Sequence, residues 1–301
     1  MNSQQGWINL YKPKNISSFY ALKKIKTKFG FSKIGHAGTL DPIAEGILPV
    51  AIGKATKLIP FITNKNKKYI FTIKWGQQTS TDDLEGKVIK SSRIFPSKEQ
   101  IQNKLKNYKG NIQQIPPAAS SVKVRGERAY KLFRENRNFE LKPKTVFLKK
   151  IQLLKYEKKL SKFEIECGKG FYVRSLARDL SLSLGTYGHI STLKRAKVGI
   201  FSTKTAILLD DLLKIGQRHS EFNCVHSSIS MLDDILAYEI ESKDDLVNLS
   251  LGRSIYINLD KLNKPLLSSF DKSYLFLSKN GNVISYGKLN GDLFKPNKIM
   301  I

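Results

Sequence analysis

The residues best placed to do chemistry lie at positions 35–48, GHAGTLDPIAEGIL. Two closely spaced glycines, Gly35 and Gly38, lead into a carboxylate, Asp41, set between Leu40 and Pro42. Proline pushes the residue before it out of the helical region, and Asp tolerates irregular backbone. Asp41 therefore belongs to a turn, and only the rest of the chain decides whether its carboxylate reacts. Other chemistries find little support. The stretch from Gly46 to Thr56 contains a Gly-Lys pair, but six residues separate its glycines where a phosphate loop has four, and Ala55 follows the lysine in place of Ser or Thr. No G-x-G-x-x-G, H-E-x-x-H or G-x-S-x-G occurs, and His36, His189, His219 and His226 show no ligand spacing. Cys167 and Cys224 stand in no paired spacing, so neither a disulfide framework nor a zinc cluster is expected. The expectation is chemistry without a metal or an organic cofactor.

A chain of 301 residues holds one large domain, or a domain of ordinary maximum size with a small one attached. With 41% hydrophobic and 26% charged residues it reads as a soluble globular protein. No run reaches the roughly 18 apolar residues of a membrane span. The start, MNSQQGWINLYKPKN, lacks the charged-then-apolar pattern of an export signal, so a cytoplasmic protein away from membranes is expected. A net charge of +27 favours a polyanionic partner, of which nucleic acid is the commonest. Lysines spread through the whole chain, so general lysine-rich codon usage accounts for part of that excess.

Certain elements must position the loop. Ser17 and Ser18 precede Phe19, Leu22, Ile25 and Phe29 at near-helical spacing, with Gly30 as the stop. Residues 68–75 change to a period of two, placing Tyr69, Phe71, Ile73 and Trp75 on one side of a strand. Ser97 and Gln100 form a capping-box pattern before Ile101, Leu105 and Tyr108, and Gly110 is read as that helix's end. An irregular loop at 115–126 leads to a short helix through Tyr130, Leu132 and Phe133. A strand through Phe163, Ile165 and Cys167 ends at the Gly168-Lys169-Gly170 turn. The helix after it points Val173, Leu176, Leu180 and Leu184 inward, with Gly185 as its stop, and places Arg174 and Arg178 on one face. Residues 216–230 read as a polar connection. Beyond about 240 come a short helix ending at Gly252, a strand at 255–257 and a hairpin turned by Asn280-Gly281. The mixed order of strands and helices argues for α+β rather than a doubly wound sheet.

Several segments, in one order, resemble the TruB-type tRNA pseudouridine(55) synthases. They are KIGHAGTLDPIAEGILPVAIGKATKL at 33–58, KKYIFTIKWGQQTSTDDLEG at 67–86, IPPAASSVKVRGERAY at 115–130 and CGKGFYVRSLARDL at 167–180, with an end similar to a PUA-type RNA-binding module. The resemblance covers nearly the whole chain. It implies a pseudouridine synthase fold with a central mixed or antiparallel sheet at 1–238 and a small, mainly β, PUA-like domain at 239–301. The implied activity isomerises the T-loop uridine of tRNA to pseudouridine. Isomerisation breaks a C–N glycosidic bond and makes a C–C bond to the same ribose, for which a carboxylate nucleophile is suited. The leaving uracil returns as the attacking group, so the second carboxyl that glycosidases use to handle water is dispensable.

In the family the aspartate at the Asp41 position is the nucleophile, the arginine at Arg174 its ion-pair partner, and the tyrosine at Tyr69 a stacking platform for the extruded uracil. His36 is implied to fill the place that the flipped base vacates, and Tyr172 stands with it among the substrate-binding residues. Lys12, Lys14, Lys123, Arg125 and Lys169 are candidate phosphate contacts. The family usually has glycine where Asn15 stands, and hydroxyl residues more often than Gly168 and Phe171. A monomer acting on the T-stem-loop without an obligatory protein partner is expected. Two other readings stay open at this point: a guide-RNA-dependent synthase, and a tRNA-binding or folding protein without catalysis.

Overall fold

The computed structural model describes residues 4–215, 224–232, 235–263 and 271–301. The first sheet takes its strands in the order β1 (Gly6–Lys12), β2 (Ile34–His36), β3 (Glu45–Ile52) and β4 (Lys67–Trp75). The hairpin of β5 (Gln77–Thr79) and β6 (Val88–Ser91) follows, then β7 (Gly110–Gln114) and the small pair β8 (Lys123–Val124) and β9 (Glu127–Arg128). Next come β10 (Lys144–Glu157), β11 (Leu160–Cys167), β12 (Gly188–Val198), β13 (Phe201–Ser202), β14 (Ile207–Leu208) and β15 (Val225–His226). The helices are α1 (Ser18–Phe29), α2 (Ile59–Thr63), α3 (Lys98–Leu105), α4 (Ala129–Arg134), α5 (Val173–Ser183), α6 (Leu209–Lys214) and α7 (Lys243–Ser250).

The sheet runs β14-β1-β3-β12-β4-β11-β10-β7, with β2, β13 and β15 paired at its sides. It is mixed: β12 runs parallel to β3 and β1 parallel to β14, while the other pairs are antiparallel. β12 lies between β3 and β4, so one strand touches both the strand that follows the Asp41 loop and the strand that carries Tyr69.

Period-two alternation along β1 sends Ile8 and Leu10 to one core and Trp7 to another. The first core takes the apolar stripe of α1 (Ala21, Leu22, Ile25, Phe29) and that of α5 (Val173, Leu176, Ala177, Leu180) against Phe71, Ile73, Phe163 and Ile165. Full burial of a Leu, Ile or Phe stabilises by about 1.5–3 kcal/mol, enough for these stripes to fix where α1 and α5 lie. α1 begins with Ser17 accepting from the Tyr20 amide and stops at Gly30, which takes φ 68.

A second sheet, β16 (Ile235–Glu239), β17 (Ile255–Tyr256), β18 (Asp271–Lys279), β19 (Asn282–Asn290) and β20 (Leu293–Ile299), has the order β16-β18-β19-β20-β17. It packs on the first through the other core, where Ile47, Leu58 and Phe201 meet Phe276, Val283 and Met300. Phe61 meets Tyr274, Phe276 and Tyr286 edge-on at 5.8, 4.8 and 5.1 Å. The architecture is thus α+β, a central mixed sheet with a mainly β C-terminal unit.

Three details differ from the sequence reading. The helix capped by Ser97 ends at Leu105, and Gly110, at φ 86, opens β7 instead of closing that helix. A division at 238/239 would cut β16, whose first residue is Ile235. Of the connection at 216–230, residues 216–223 lie outside the described residues, whereas Val225 and His226 form a strand beside β1. The Asn280-Gly281 turn is as read, with φ 51 and 73.

Candidate active site

Asp41 sits in the loop between β2 and β3, and four contacts from elsewhere in the chain hold that loop. The Ser18 hydroxyl, at the start of α1, donates to the Leu40 carbonyl at 3.0 Å and accepts from the Leu40 amide at 2.9 Å. The Asn15 amide donates to the Pro42 carbonyl at 2.8 Å. Asn15 takes φ 64, the left-handed backbone that Asn tolerates, so the family's usual glycine is not required there. The Lys12 ammonium donates to the carbonyls of Pro13, Ile16 and Pro42 at 2.8, 2.7 and 3.4 Å. Finally, the buried Arg195 guanidinium donates to Gly38, Thr39 and Ile47 carbonyls. Bracketed this way, the Asp41 side chain remains 34% exposed.

Its partner is Arg174, the second residue of α5. Nε lies 3.0 Å from Asp41 Oδ2 and Nη2 3.2 Å from Oδ1, a two-point fork. The remaining donors are used as well: Nη1 donates to the Thr81 carbonyl and Nη2 to the Ala119 carbonyl, each at 3.1 Å. Nη1 also lies 3.6 Å from Asp83 Oδ2. With Arg174 only 6% exposed, a buried cation stands between a buried carboxylate and a half-open one. One turn on, Arg178 pairs with Asp82 at 3.1 Å and donates to the Ile115 carbonyl at 2.8 Å. The two arginines of one helix face thus tie residues 81–83 and 115–119 to the nucleophile loop.

The TruB family pseudouridylate synthase N-terminal domain matches residues 26–173, and the tRNA pseudouridylate synthase B C-terminal domain matches 174–237. The tRNA pseudouridine synthase B of Ehrlichia ruminantium is 46% identical over 302 residues, covering 98% of each chain. That of Sinorhizobium medicae is 38% identical over 298 residues, covering 98% of this chain and 95% of its own. The chain belongs to the TruB family of pseudouridylate synthases. A solved Cbf5-Nop10-Gar1 complex contains a chain of the same fold, with a TM-score of 0.73 at 22% identity, covering 98% of this chain and 85% of that one.

In this TruB-family chain Tyr69 lies on β4, directly across from Arg195 of β12. Burial pushes its phenol upward, opposed by the Arg195 charge, so the hydroxyl stays protonated at neutral pH. His36, on β2, is pulled down by burial and by Arg195, which leaves a neutral imidazole. Its Nδ1 is buried without a hydrogen-bond partner among the described residues. Tyr172 caps α5 and is fixed from both sides by Gln114, whose Oε1 accepts from the Tyr172 amide while its Nε2 donates to the Tyr172 carbonyl. Burial raises its phenol too. Phe171, where the family more often has a hydroxyl residue, is buried in the first core.

The basic residues divide. Lys12, expected to touch phosphate, is wholly buried and its ammonium is taken up by three carbonyls, so it braces the loop instead. Burial lowers its pKa to about 8. Lys14 is exposed and 3.6 Å from Glu45. Lys123 and Arg125 are exposed on the β8–β9 pair, Arg125 at φ 49, beside a 620 Å³ cavity that Lys142 also lines. Lys169 is exposed in the turn that leads to α5.

Sequence reasoning missed Ser18, Asp82, Asp83 and Arg195. The adjacent carboxylates of TSTDDLEG carried a signal, since two consecutive acids facing two arginines four apart can pair in parallel. Arg195 gave none, because the carbonyls that hold its guanidinium belong to the backbone, which no side-chain pattern reveals.

Proposed function

We propose that this chain isomerises the T-loop uridine (position 55) of tRNA to pseudouridine, with Asp41 as the nucleophile and the target base flipped from its stack. The observation that carries the reading is the two-point Asp41–Arg174 pair, in which a buried guanidinium orients a carboxylate that keeps one side open. Relatives named tRNA pseudouridine synthase B support tRNA as the substrate, and the +27 net charge suits its phosphates.

The chemistry follows from the groups present. The C1′–N1 bond breaks with its electron pair going to the uracil, while a carboxylate oxygen of Asp41 bonds either to C1′ or to the pyrimidine ring. The uracil turns, C5 bonds to C1′, Asp41 is released with its electron pair, the C5 proton is lost to solvent, and N1 takes up a proton from solvent. Arg174 holds the carboxylate's charge and aim through each step. Tyr69, protonated and partly exposed, offers a ring face to the flipped base and an O–H to its carbonyls. Neutral His36 suits stacking in the gap that the base leaves. Flipping costs a few kcal/mol, least in a loop whose bases are already accessible, which favours the T-loop. Exposed Lys14, Lys123, Arg125 and Lys169 are the proposed phosphate contacts, and the purified chain, as a monomer, is expected to suffice.

Mapping tests this. Unmodified tRNA transcript is incubated with the purified protein, treated with carbodiimide and read by reverse transcription. The expected result is one stop at the T-loop uridine, absent when that position is cytidine. Stops elsewhere, or none with folded protein that binds tRNA, would refute the assignment.

A further inference from the structure

Arg195 is a fully enclosed guanidinium, 1% exposed, and among the described residues no carboxylate lies within ion-pairing distance of it. Buried charges are normally paired, and an unpaired one is costly. Its acceptors are three backbone carbonyls. Nε donates to Ile47 at 2.7 Å, Nη2 to Gly38 at 2.8 Å and Nη1 to Thr39 at 3.3 Å. Gly38 and Thr39 lead directly into Asp41, so the fork grips the segment that sets where the carboxylate points.

The backbone around it is built for this approach. On one side Arg195 is in register with Gly46 of β3, and a Cβ at Gly46 would stand 2.2 Å from the Arg195 carbonyl oxygen. Only glycine lets β3 and β12 come so close, and Gly46 takes φ 110 to do it. On the other side Arg195 is in register with Tyr69 of β4, which puts the two side chains on the same face of the sheet. Its charge and hydrogen-bonding capacity act on the Tyr69 hydroxyl against the effect of burial.

We propose that Arg195 is a positioning residue which couples the Asp41 loop to Tyr69, its fork holding the Gly38 and Thr39 carbonyls while its charge faces the tyrosine oxygen. A donor approaching the phenol oxygen leaves the phenol's own O–H to point at the substrate, so one side chain sets both the nucleophile and the group that meets the flipped base. The inference rests on the reading of Asp41 and Tyr69 given above. Lysine cannot replace the fork, because a single ammonium cannot span acceptors on the loop and on β3 in this fixed geometry.

The test uses full-length protein with Arg195→Lys and with Arg195→Gln, two variants so that a folding failure in one leaves the other. Single-turnover rate and affinity are measured on unmodified tRNA transcript. Separately, the Cζ resonance of ¹³C-labelled tyrosine is recorded on free protein, with the Tyr69 signal assigned by Tyr69→Phe. The coupling predicts a rate loss of about 100-fold, as for a small misplacement of reacting groups. It also predicts unchanged tRNA affinity and a displaced Tyr69 Cζ signal in any folded variant. A folded variant with an unmoved Tyr69 signal overturns the coupling, as does one that loses affinity in place of rate. Wild-type protein that turns over no tRNA would refute the functional reading itself, while the tyrosine signal still decides whether Arg195 acts on Tyr69.

Discussion

The Arg178–Asp82 pair makes a prediction whose size and asymmetry both follow from its surroundings. The Asp82 side chain is 7% exposed, and beyond Arg178 at 3.1 Å its remaining side-chain hydrogen-bond partner among the described residues is Gln78 at 3.3 Å. Arg178, 15% exposed, holds two further acceptors, the Ile115 carbonyl and Asp179, each at 2.8 Å. Removing the arginine therefore strands a buried carboxylate, whereas removing the carboxylate leaves a well-partnered arginine. Arg178→Met should cost about 3–4 kcal/mol, in the range for breaking a buried pair from one side. Asp82→Asn should cost about 1–2 kcal/mol, since the Asn side-chain oxygen still accepts the hydrogen bond from Gln78 and Asn tolerates the left-handed backbone; Asp82 takes φ 59. In the double variant the arginine's loss forfeits chiefly its bond to Ile115, so the total should fall short of the sum by about 2 kcal/mol. Urea unfolding measures this, the larger loss being a midpoint shift of about 1 M at a slope of about 3 kcal/mol/M. Equal small costs, strict additivity, or a larger cost for Asp82→Asn would refute the reasoning. Burial raises Asp82 above its ordinary value of 3.8 despite Arg178. A raised carboxyl contributes stability that is full below the unfolded value and is lost as pH rises through the folded one, so Asp82→Asn should flatten the fall in stability above about pH 4.

Lys12 gives the opposite slope. Its folded pKa of about 8 lies below the ordinary 10.5, so its contribution is present above 10.5 and lost as pH falls through 8, and wild-type stability should gain between those limits relative to Lys12→Met in pH-dependent melts. Asn15→Gly should leave stability within about 0.5 kcal/mol, while Asn15→Val should cost about 1–2 kcal/mol by thermal unfolding, because a branched residue resists φ 64. Lys57 is exposed among Lys33, Lys54 and Lys298, which together with burial lower its pKa, so it marks a crowded cationic surface where the two sheets meet. Lys57→Ala should weaken tRNA binding and reduce the salt slope by about 1 in a filter-binding series, with the single-turnover rate at saturation unchanged.

How much of this was legible in the sequence depended on distance along the chain. Helix α1, strand β4, the capping box at Ser97 and the hairpin turn at Asn280 were readable because periodicity and caps are local signals. The partnership of Asp41 with Arg174 spans 133 positions and came through the family resemblance, since no spacing rule links residues so far apart. Strands β10 and β12 escaped notice because each carries exposed lysines and half-buried polar residues that blur a period of two. Ser18 was read with Ser17 as a helix start, and only the fold shows it turned toward Leu40. Lys12 was misread for a general reason: on a chain this basic any lysine looks like surface, and its burial depends on three carbonyls converging from the turn after β1 and from the Asp41 loop.

The most direct test of the central claim is tritium release from unmodified tRNA carrying 5-tritiated uridine, under single turnover with purified protein alone. Wild type and Asp41→Asn are compared, with tRNA affinity measured for both. The account predicts release by the wild type from the T-loop uridine, and no release by Asp41→Asn despite tRNA affinity within a few-fold of wild type. Release by Asp41→Asn at the wild-type rate would contradict Asp41 as the nucleophile.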